Sequence, residues 1–567
     1  MSTESLWRVA LLAAGLAILP ALVGCQNGGQ RPSEAVPPST SVQAARLVAL
    51  VAGEPDPAKY GPELQAMLSS GDLLIRASAA HLIGAWAAHG DPALAAPAIS
   101  SADPFVRALA ETAYMRQGRS GMGLLNVQGS LVEVPADVLK ALNEMRGPEG
   151  MGDLATLLQA RRADLRRYLD GTPQEAVLAA DLLSYIADAG ARRVLLALSE
   201  SSPKDVLAAA APASLRPEMA ISGTMLPKIA ASGTAGRRAA VRALVLYPDP
   251  RFADFLVGML HGEDLSVRRN AIRALGELGA AAPIEPLIAV LQAPVPKAKP
   301  GEPEPSIHGE KGDAIRTLGV IGTPAAVNAL RQYIQAAPET PELEVQAILA
   351  LAPHGDRSDI PWLQARLQSP SPLVRAAAAT ALGDIGNPAA QAALMLTTGD
   401  NESLVRAAIA KALGQIGTVY ASQQLAVMMN DPDPTVRAMA IWGLGVTKDQ
   451  GAVAALSDIA AGSAGAAEPP ARIGDLYDQP QLAAIIALGR IADEPALKTL
   501  AGLLVSRSWP VRAATVQALH ISGAQTPEIS GALDARLKDV ANLVRAEALL
   551  ALKSLGKEFP PGYFQTH

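Results

Sequence analysis

SPSPLVRAAAATALGDIG (369–386), DNESLVRAAIAKALGQIG (400–417) and DPDPTVRAMAIWGLG (431–445) can be laid over one another without a gap. Their arginines, Arg375, Arg406 and Arg437, stand 31 residues apart. The same pattern returns around Arg268 (EDLSVRRNAIRALGELG), Arg512 (SWPVRAATVQAL) and Arg545 (ANLVRAEALLAL). It is also present around Arg76 (DLLIRASAAHLIG) and Arg107 (DPFVRALAETAY). A fixed period of this size marks stacked units, each too small to fold alone. Stepping along the period adds weaker units at Gln43, Leu139, Ala176, Leu207, Arg238, Lys311, Glu344 and Gln481, for about sixteen in all.

Each unit reads as a pair of helices. Around Arg375, Val374, Ala378, Ala381, Leu382 and Ile385 recur at helical spacing and form one apolar face. Ser371 is expected to cap the helix, with Pro372 in its first turn; Asp103-Pro104 and Asp433-Pro434 repeat that start. Gly386 supplies a left-handed exit, and Asn387-Pro388 opens the second helix, as Gly322-Thr323-Pro324 does elsewhere. A pair must bury its apolar face against its neighbours. The predicted fold is therefore all-α: an α-solenoid of about sixteen helix pairs, tracing an arc on the order of 150 Å.

The D-x-x-V-R-x-x-A-x-x-A-L-G-x-I-G pattern resembles the HEAT repeats of phycobilisome lyases, over most of the chain from about Ser41 to Gly556. The resemblance implies the fold. It leaves function open, since members of this superfamily include scaffolds, chromophore lyases and DNA glycosylases. It also implies that the recurring arginines (Arg76, Arg107, Arg268, Arg375, Arg406, Arg437, Arg512 and Arg545) are mainly structural, pairing with an Asp of a neighbouring helix or turn. Asp103, Asp264 and Asp433, four residues before Arg107, Arg268 and Arg437, are the candidates for pairing or capping. The rival reading is a basic ladder that binds acidic segments of a partner.

The amino terminus carries a separate signal. Arg8 precedes an uncharged apolar run, Val9 to Gly24, which is interrupted by Pro20 and short for a membrane span but fits an export signal. It ends Leu22-Val23-Gly24-Cys25, and Cys25 is the chain's only cysteine. This resembles the lipobox of bacterial lipoproteins, which implies cleavage before Cys25 and a diacylglycerol on its thiol. Residues 1–24 are then the signal peptide and 25–41, rich in Gly, Pro and Ser, a flexible tether. Its sixteen residues after the cysteine reach at most roughly 55 Å. Gln26 is not the Asp that favours inner-membrane retention, so the resemblance implies an outer-membrane lipoprotein facing the periplasm.

Composition narrows the chemistry. The chain of 567 residues is 49% hydrophobic but only 3% aromatic, a mixture suited to closely packed helices. Its net charge of −6, without a basic run, makes nucleic acid an unlikely-fitting partner on electrostatic grounds. With Cys25 committed to lipid, no thiolate nucleophile or metal ligand is left, and no disulfide forms. The seven histidines (81, 89, 261, 308, 354, 520 and 567) are scattered without HExxH, and His81 and His89 lack a nearby carboxylate motif. No catalytic residue, metal site or cofactor is predicted. Gly118 to Gly123 lacks the GK[ST] of a phosphate loop and reads as a break in the array, which is expected to be irregular around 116–172.

The departures from the period are the places where function can reside. Insertions at 293–310 and 461–475 both follow a second helix and precede a first helix, so both should emerge on one edge of the body, 42–556. They read equally well as a binding edge or as tolerated surface growth. Phe559, Tyr563 and Phe564 in the tail, 557–567, are expected to cap the last unit, a partner-docking tail being the alternative. The leading functional expectation is a lipid-tethered scaffold that binds envelope proteins. The alternatives are a bilin-lyase-like enzyme or small-ligand binder using the solenoid groove and, disfavoured by charge and export, a DNA glycosylase.

Overall fold

The computed structural model describes residues 40–559, apart from 54, 89–90, 118–121, 128–129, 147–153, 200, 295–306, 337, 339 and 463–478. The signal peptide, the lipobox residues Leu22, Val23, Gly24 and Cys25, and most of the tether and tail lie outside the described residues. So do most of the two insertions.

The described body is an α-solenoid. The first helices of the amino-terminal units are α1 (Thr40–Ala52), α2 (Leu73–Ala87) and α3 (Pro104–Gln117). A hairpin of β1 (Met122–Val127) and β2 (Ser130–Pro135) leads into α4 (Ala136–Arg146) and α5 (Leu154–Arg166). Next come α6 (Pro173–Ser184), with its second helix α7 (Ala189–Ala197), and α8 (Lys204–Ala209). The remaining first helices are α9 (Thr234–Leu246), α10 (Leu265–Glu277), α11 (Ile307–Ile321), α12 (Pro341–Leu351) and α13 (Pro372–Ile385). They continue with α14 (Ser403–Ile416), α15 (Pro434–Val446), α16 (Pro480–Ile491), α17 (Trp509–Ser522) and α18 (Asn542–Ser554). All sixteen register positions fall in separate first helices of this series.

Local chemistry sets the ends of the helices. Asp433 accepts from Thr435 N at 2.8 Å and Val436 N at 3.3 Å, closing the amino end of α15. Asp103 accepts from Phe105 N at 2.9 Å in the same way. Ser371 occupies the cap of α13, but its hydroxyl makes no capping bond. Gly386 leaves α13 at φ 65°, and Asn387 accepts from Ala389 N at 3.0 Å to start the second helix.

Consecutive first helices pack directly on one another, and the small residues of the pattern permit the approach. A Cβ on Gly414 would lie 2.5 Å from Gly443 Cα, and one on Gly445 would lie 2.6 Å from Ala487 Cα. The first helices are consequently buried over most of their surface, whereas second helices such as Gln391–Leu396 keep an exposed face.

The expected open arc closes on itself. α1 packs between α2 on one side and α6 and α8 on the other. From this junction α2, α3, the hairpin and α4 run one way, while α8 through α18 run the other, and the two arms meet where α4 packs on α18. The exposed end that a solenoid ordinarily presents is covered because Val138, Leu139 and Leu142 of α4 give it an apolar partner. Of the tail's aromatics, Phe559 packs partly buried against the core, and Tyr563 and Phe564 lie outside the described residues.

The break in the array expected around 116–172 carries a hairpin in place of a second helix, with antiparallel register from Met122↔Pro135 to Val127↔Ser130. It is held because Leu124, Leu125, Val127, Val132 and Val134 are buried. The tether ends two residues early, since α1 begins at Thr40, whose hydroxyl donates to Asp72 Oδ2 at 3.2 Å.

Candidate functional site

The repeating arginines form one edge of the solenoid. Each is the fourth residue of its first helix, and helical side chains lean toward the amino end, so the guanidinium reaches the preceding turn. There Nη1 of all eight donates to the carbonyl six residues earlier. Examples are Arg76 to Ser70 at 2.6 Å, Arg268 to Gly262 at 2.8 Å, Arg437 to Asp431 at 2.9 Å and Arg545 to Asp539 at 2.7 Å. Arg107 makes the same bond to Ser101 O, as Arg375, Arg406 and Arg512 do to Ser369 O, Asp400 O and Ser506 O.

The remaining nitrogens of several reach the next unit. Arg375 grips Asp400 at 2.8 and 2.9 Å, Arg406 grips Asp431 at 2.8 and 2.9 Å, and Arg512 grips Asp539 at 2.8 and 2.7 Å. Arg268 reaches Glu310 at 2.8 Å across the first insertion, and Arg238 holds Asp264. The acid precedes the following first helix at Asp264, Asp400, Asp431 and Asp539, and lies in its first turn at Glu310. Asp103, Asp264 and Asp433 cap their own helices with their carboxylates, and their carbonyls accept from the backbone N–H of the arginine four residues on. The guanidinium beside each carboxyl holds Asp264, Asp400 and Asp431 below the usual carboxylate range. Burial pulls Asp539 upward, yet Arg512 keeps it lowered as well. Asp400 takes Arg375 on its carboxylate and Arg406 on its carbonyl, so adjacent units share a continuous charged seam. Both insertions leave and rejoin the body at this same edge, after Gln292 and Ala461 and before α11 and α16.

A second constellation sits at the junction of the two arms. His81 on α2 lies 2.8 Å by Nε2 from the Tyr185 hydroxyl and 3.2 Å by Nδ1 from Asp181 Oδ2 on α6. Asp181 Oδ1 is 3.0 Å from Arg216 Nη2. Arg216, fully buried, also donates to Asp181 O and Ser184 Oγ, and by Nε to the Tyr247 hydroxyl at 3.0 Å. The Tyr185 ring lies between two guanidiniums, Arg216 at 3.8 Å and Arg116 at 4.6 Å from its centroid. Burial pushes the Tyr185 hydroxyl up, so it stays a neutral phenol at neutral pH. Burial also pulls Asp181 up, but Arg216 and His81 outweigh it and leave the carboxyl at about 2. The polar groups engage one another across four segments that are distant in sequence, Asp181 Oδ1 facing Arg216 as an ion pair without a hydrogen bond. Their chemistry is that of a pin holding α2 and α3 to α6 and α9.

His81 thus has a carboxylate that its own neighbourhood in sequence does not show. Its partner Tyr185 is 104 residues away, so no local motif could have found it. Among the described residues no group of three or more His, Cys, Asp or Glu side chains could hold a metal ion, and no helix is long and apolar enough to cross a membrane.

A closed row of first helices, eight of them carrying the same arginine at the same turn, defines a helical-repeat protein. The sequence model for HEAT repeats matches residues 226–298, 336–414, 395–466 and 471–553, together just over half of the chain. The chain belongs to the HEAT-repeat family. No curated protein matches it significantly. Among solved structures, the complex of CpcE and CpcF of phycocyanin lyase from Nostoc sp. PCC7120 is similar at 19% identity and a TM-score of 0.27, over 53% of this chain and 94% of that one. Human deoxyhypusine hydroxylase in complex with glycerol is similar at 21% identity and a TM-score of 0.21, over 50% of this chain and 99% of that one. Kap121p bound to Nup53p is similar at 13% identity and a TM-score of 0.40, over 85% of this chain and 53% of that one.

Proposed function

We propose that this protein is a lipid-anchored, non-catalytic scaffold of the bacterial envelope, held to the outer membrane through Cys25 and binding envelope proteins on its solenoid. The observation that carries the reading is the pairing of an export run ending in Leu22-Val23-Gly24-Cys25 with a body that is one continuous repeat array. A repeat array offers a long surface rather than a single pocket, and surfaces of that kind bind chains and folded partners. The polar constellation at the junction fits the same reading, because its hydrogen-bonding groups are spent on one another. The edge that carries the arginine seam and both insertions, 293–310 and 461–475, is the binding edge in this reading.

The test is crosslinking of the protein in its own cells, followed by purification and mass spectrometry, against a Cys25→Ala control. One reproducible envelope protein, lost or relocated in the control, is the expected result. Excision of both insertions should then abolish capture while preserving the helical melt. Capture that is indifferent to Cys25→Ala and to the excision would overturn the reading.

A further inference from the structure

Three arginine doublets that look unremarkable in an acidic chain come together in space. Arg161, Arg162, Arg166 and Arg167 belong to α5 and the turn after it, and Arg192 and Arg193 to the first half of α7. Asp188 fastens the two helices. It is buried, caps α7 through Gly190 N at 2.7 Å and Ala191 N at 3.1 Å, and receives Arg162 at 2.6 Å and Arg166 at 2.8 Å. Arg161, Arg167, Arg192 and Arg193 point into solvent. Arg167 has only an exposed partner, Asp164, at 3.6 Å; the other three carry no ion pair among the described residues. The acids of the same segments are Asp164, Asp170 and Asp188, with Asp72 and Glu175 at the border, against six arginines. The sequence holds no basic run, but the fold sums three small doublets.

The position of this patch is as informative as its charge. Tyr168, immediately after Arg167, donates to Asp72 Oδ2 at 2.9 Å, and Thr40 donates to the same oxygen at 3.2 Å. Ser41 in turn donates to Glu175 Oε1 at 3.1 Å. The chain therefore enters the body beside the patch. Fourteen residues lie between Cys25 and Thr40. A flexible linker of that length has a typical end-to-end distance of about 20 Å.

We infer that the α5–α7 face is a membrane-facing surface that docks on anionic phospholipid headgroups and fixes the orientation of the body on its tether. The inference rests on the lipid-anchor reading for its choice of occupant, because the anchor brings a headgroup plane to this side. Arginines within a Debye length of such a plane, about 8 Å at physiological salt, gain attraction, each contributing about a fivefold increase in partition. The opposite side of the circuit, with both insertions at the arginine seam, remains available to partners.

The test compares the full chain carrying Cys25→Ala with the same chain also carrying Arg161→Gln, Arg167→Gln, Arg192→Gln and Arg193→Gln. These residues are exposed, and Arg162 and Arg166 are kept so that Asp188 stays paired. Flotation measures partition onto vesicles of phosphatidylcholine alone and of phosphatidylcholine with phosphatidylglycerol. Any insertion of the uncut apolar run contributes to both, so the ratio reports charge. The parent should prefer the anionic vesicles at low ionic strength and lose that preference in high salt. The quadruple variant should lose at least about 25-fold of it, two arginines in reach being enough for that. Arg357→Gln with Arg507→Gln, exposed arginines outside the patch, should retain the preference, whereas Arg161→Gln with Arg192→Gln, the same loss of two charges within it, should lower it.

Equal ratios for parent and quadruple variant, or no anionic preference in the parent, would overturn the inference. Retention of the parent on an immobilised acidic peptide without vesicle preference would assign the patch to a protein instead. Mass analysis of Cys25 in the native host separates this from the anchor reading. An acylated chain without charge preference defeats only the docking surface, and an unacylated chain with preference defeats only the anchor.

Discussion

Glu547 offers a direct test of whether the circuit is closed. It lies on α18, buried where α4 packs across it, and both burial and Asp137 of α4 raise its carboxyl from the ordinary 4.5 to about 7. The folded state therefore binds this proton more tightly than the unfolded chain does. The stabilisation is fully present below pH 4.5 and is lost as pH rises through about 7. A displacement of that size corresponds to about 3 kcal/mol. Glu547→Gln should remove the dependence and be more stable than the parent at pH 8 by up to about 3 kcal/mol. His520 on α17 works in the opposite sense: burial lowers its pKa, with Asp137 opposing, so it costs stability at acid pH. Because His520 is common to both proteins, the difference between parent and variant isolates Glu547. Hydrogen exchange of the α18 amides, corrected for intrinsic rates, is the appropriate assay, since a repeat array opens locally from its ends. Protection in the parent should fall about a hundredfold relative to the variant between pH 4.5 and 8. Identical pH profiles would mean that α4 does not cover Glu547 and that the solenoid is open.

Other perturbations test the packing of individual units. Arg512→Met removes the closer of the two guanidiniums on Asp539, Arg536 staying at 3.3 Å, and should cost about 1.5–3 kcal/mol in urea unfolding followed by circular dichroism; a loss below 1 kcal/mol would contradict the buried geometry. Gly414→Ala drives a Cβ to 2.5 Å of Gly443 Cα and should cost about 1–3 kcal/mol. Gly531→Ala, in a helix with open space around it, should stabilise by about 0.5–1 kcal/mol in the same melts. Ala492 ends α16 at φ 56°, where Gly386, Gly417 and Gly523 end sister helices. Ala492→Gly should therefore raise stability by about 0.5–1 kcal/mol, and a loss would show that the left-handed residue is not strained.

The parts of the fold legible in the sequence are those set by neighbours along the chain. The Val-Arg start, the apolar stripe and the Leu-Gly end of α13, α14 and α15 all act within one helix, so their period alone located the units. Units without the arginine, such as those at Leu139 and Leu207, were still reached by register. The break at Gly118–Gly123 is legible but the hairpin that fills it is not read from the sequence, although Leu125 and Val127 on one side of the turn and Val132 and Val134 on the other alternate as strand residues do. Closure of the circuit was not legible, since nothing in α18 announces that α4 will cover it. The same holds for the pin at His81, Asp181, Tyr185 and Arg216, whose members gain meaning only after the arms fold. The arginines were visible from the start. What the sequence could not supply was the acid that Arg268, Arg375, Arg406 and Arg512 take, which belongs to the next unit and for Arg268 is the last residue of an insertion.

The meeting of α4 and α18 has a consequence for how the chain matures. The two helices are separated by on the order of 400 residues, so their pairing closes a very large loop. During synthesis α4 must wait, with Val138, Leu139 and Leu142 uncovered, until the last helix has arrived. Final assembly is then a late, long-range step that sets the pace of folding, and any holdase that meets the nascent chain will find its apolar target on α4.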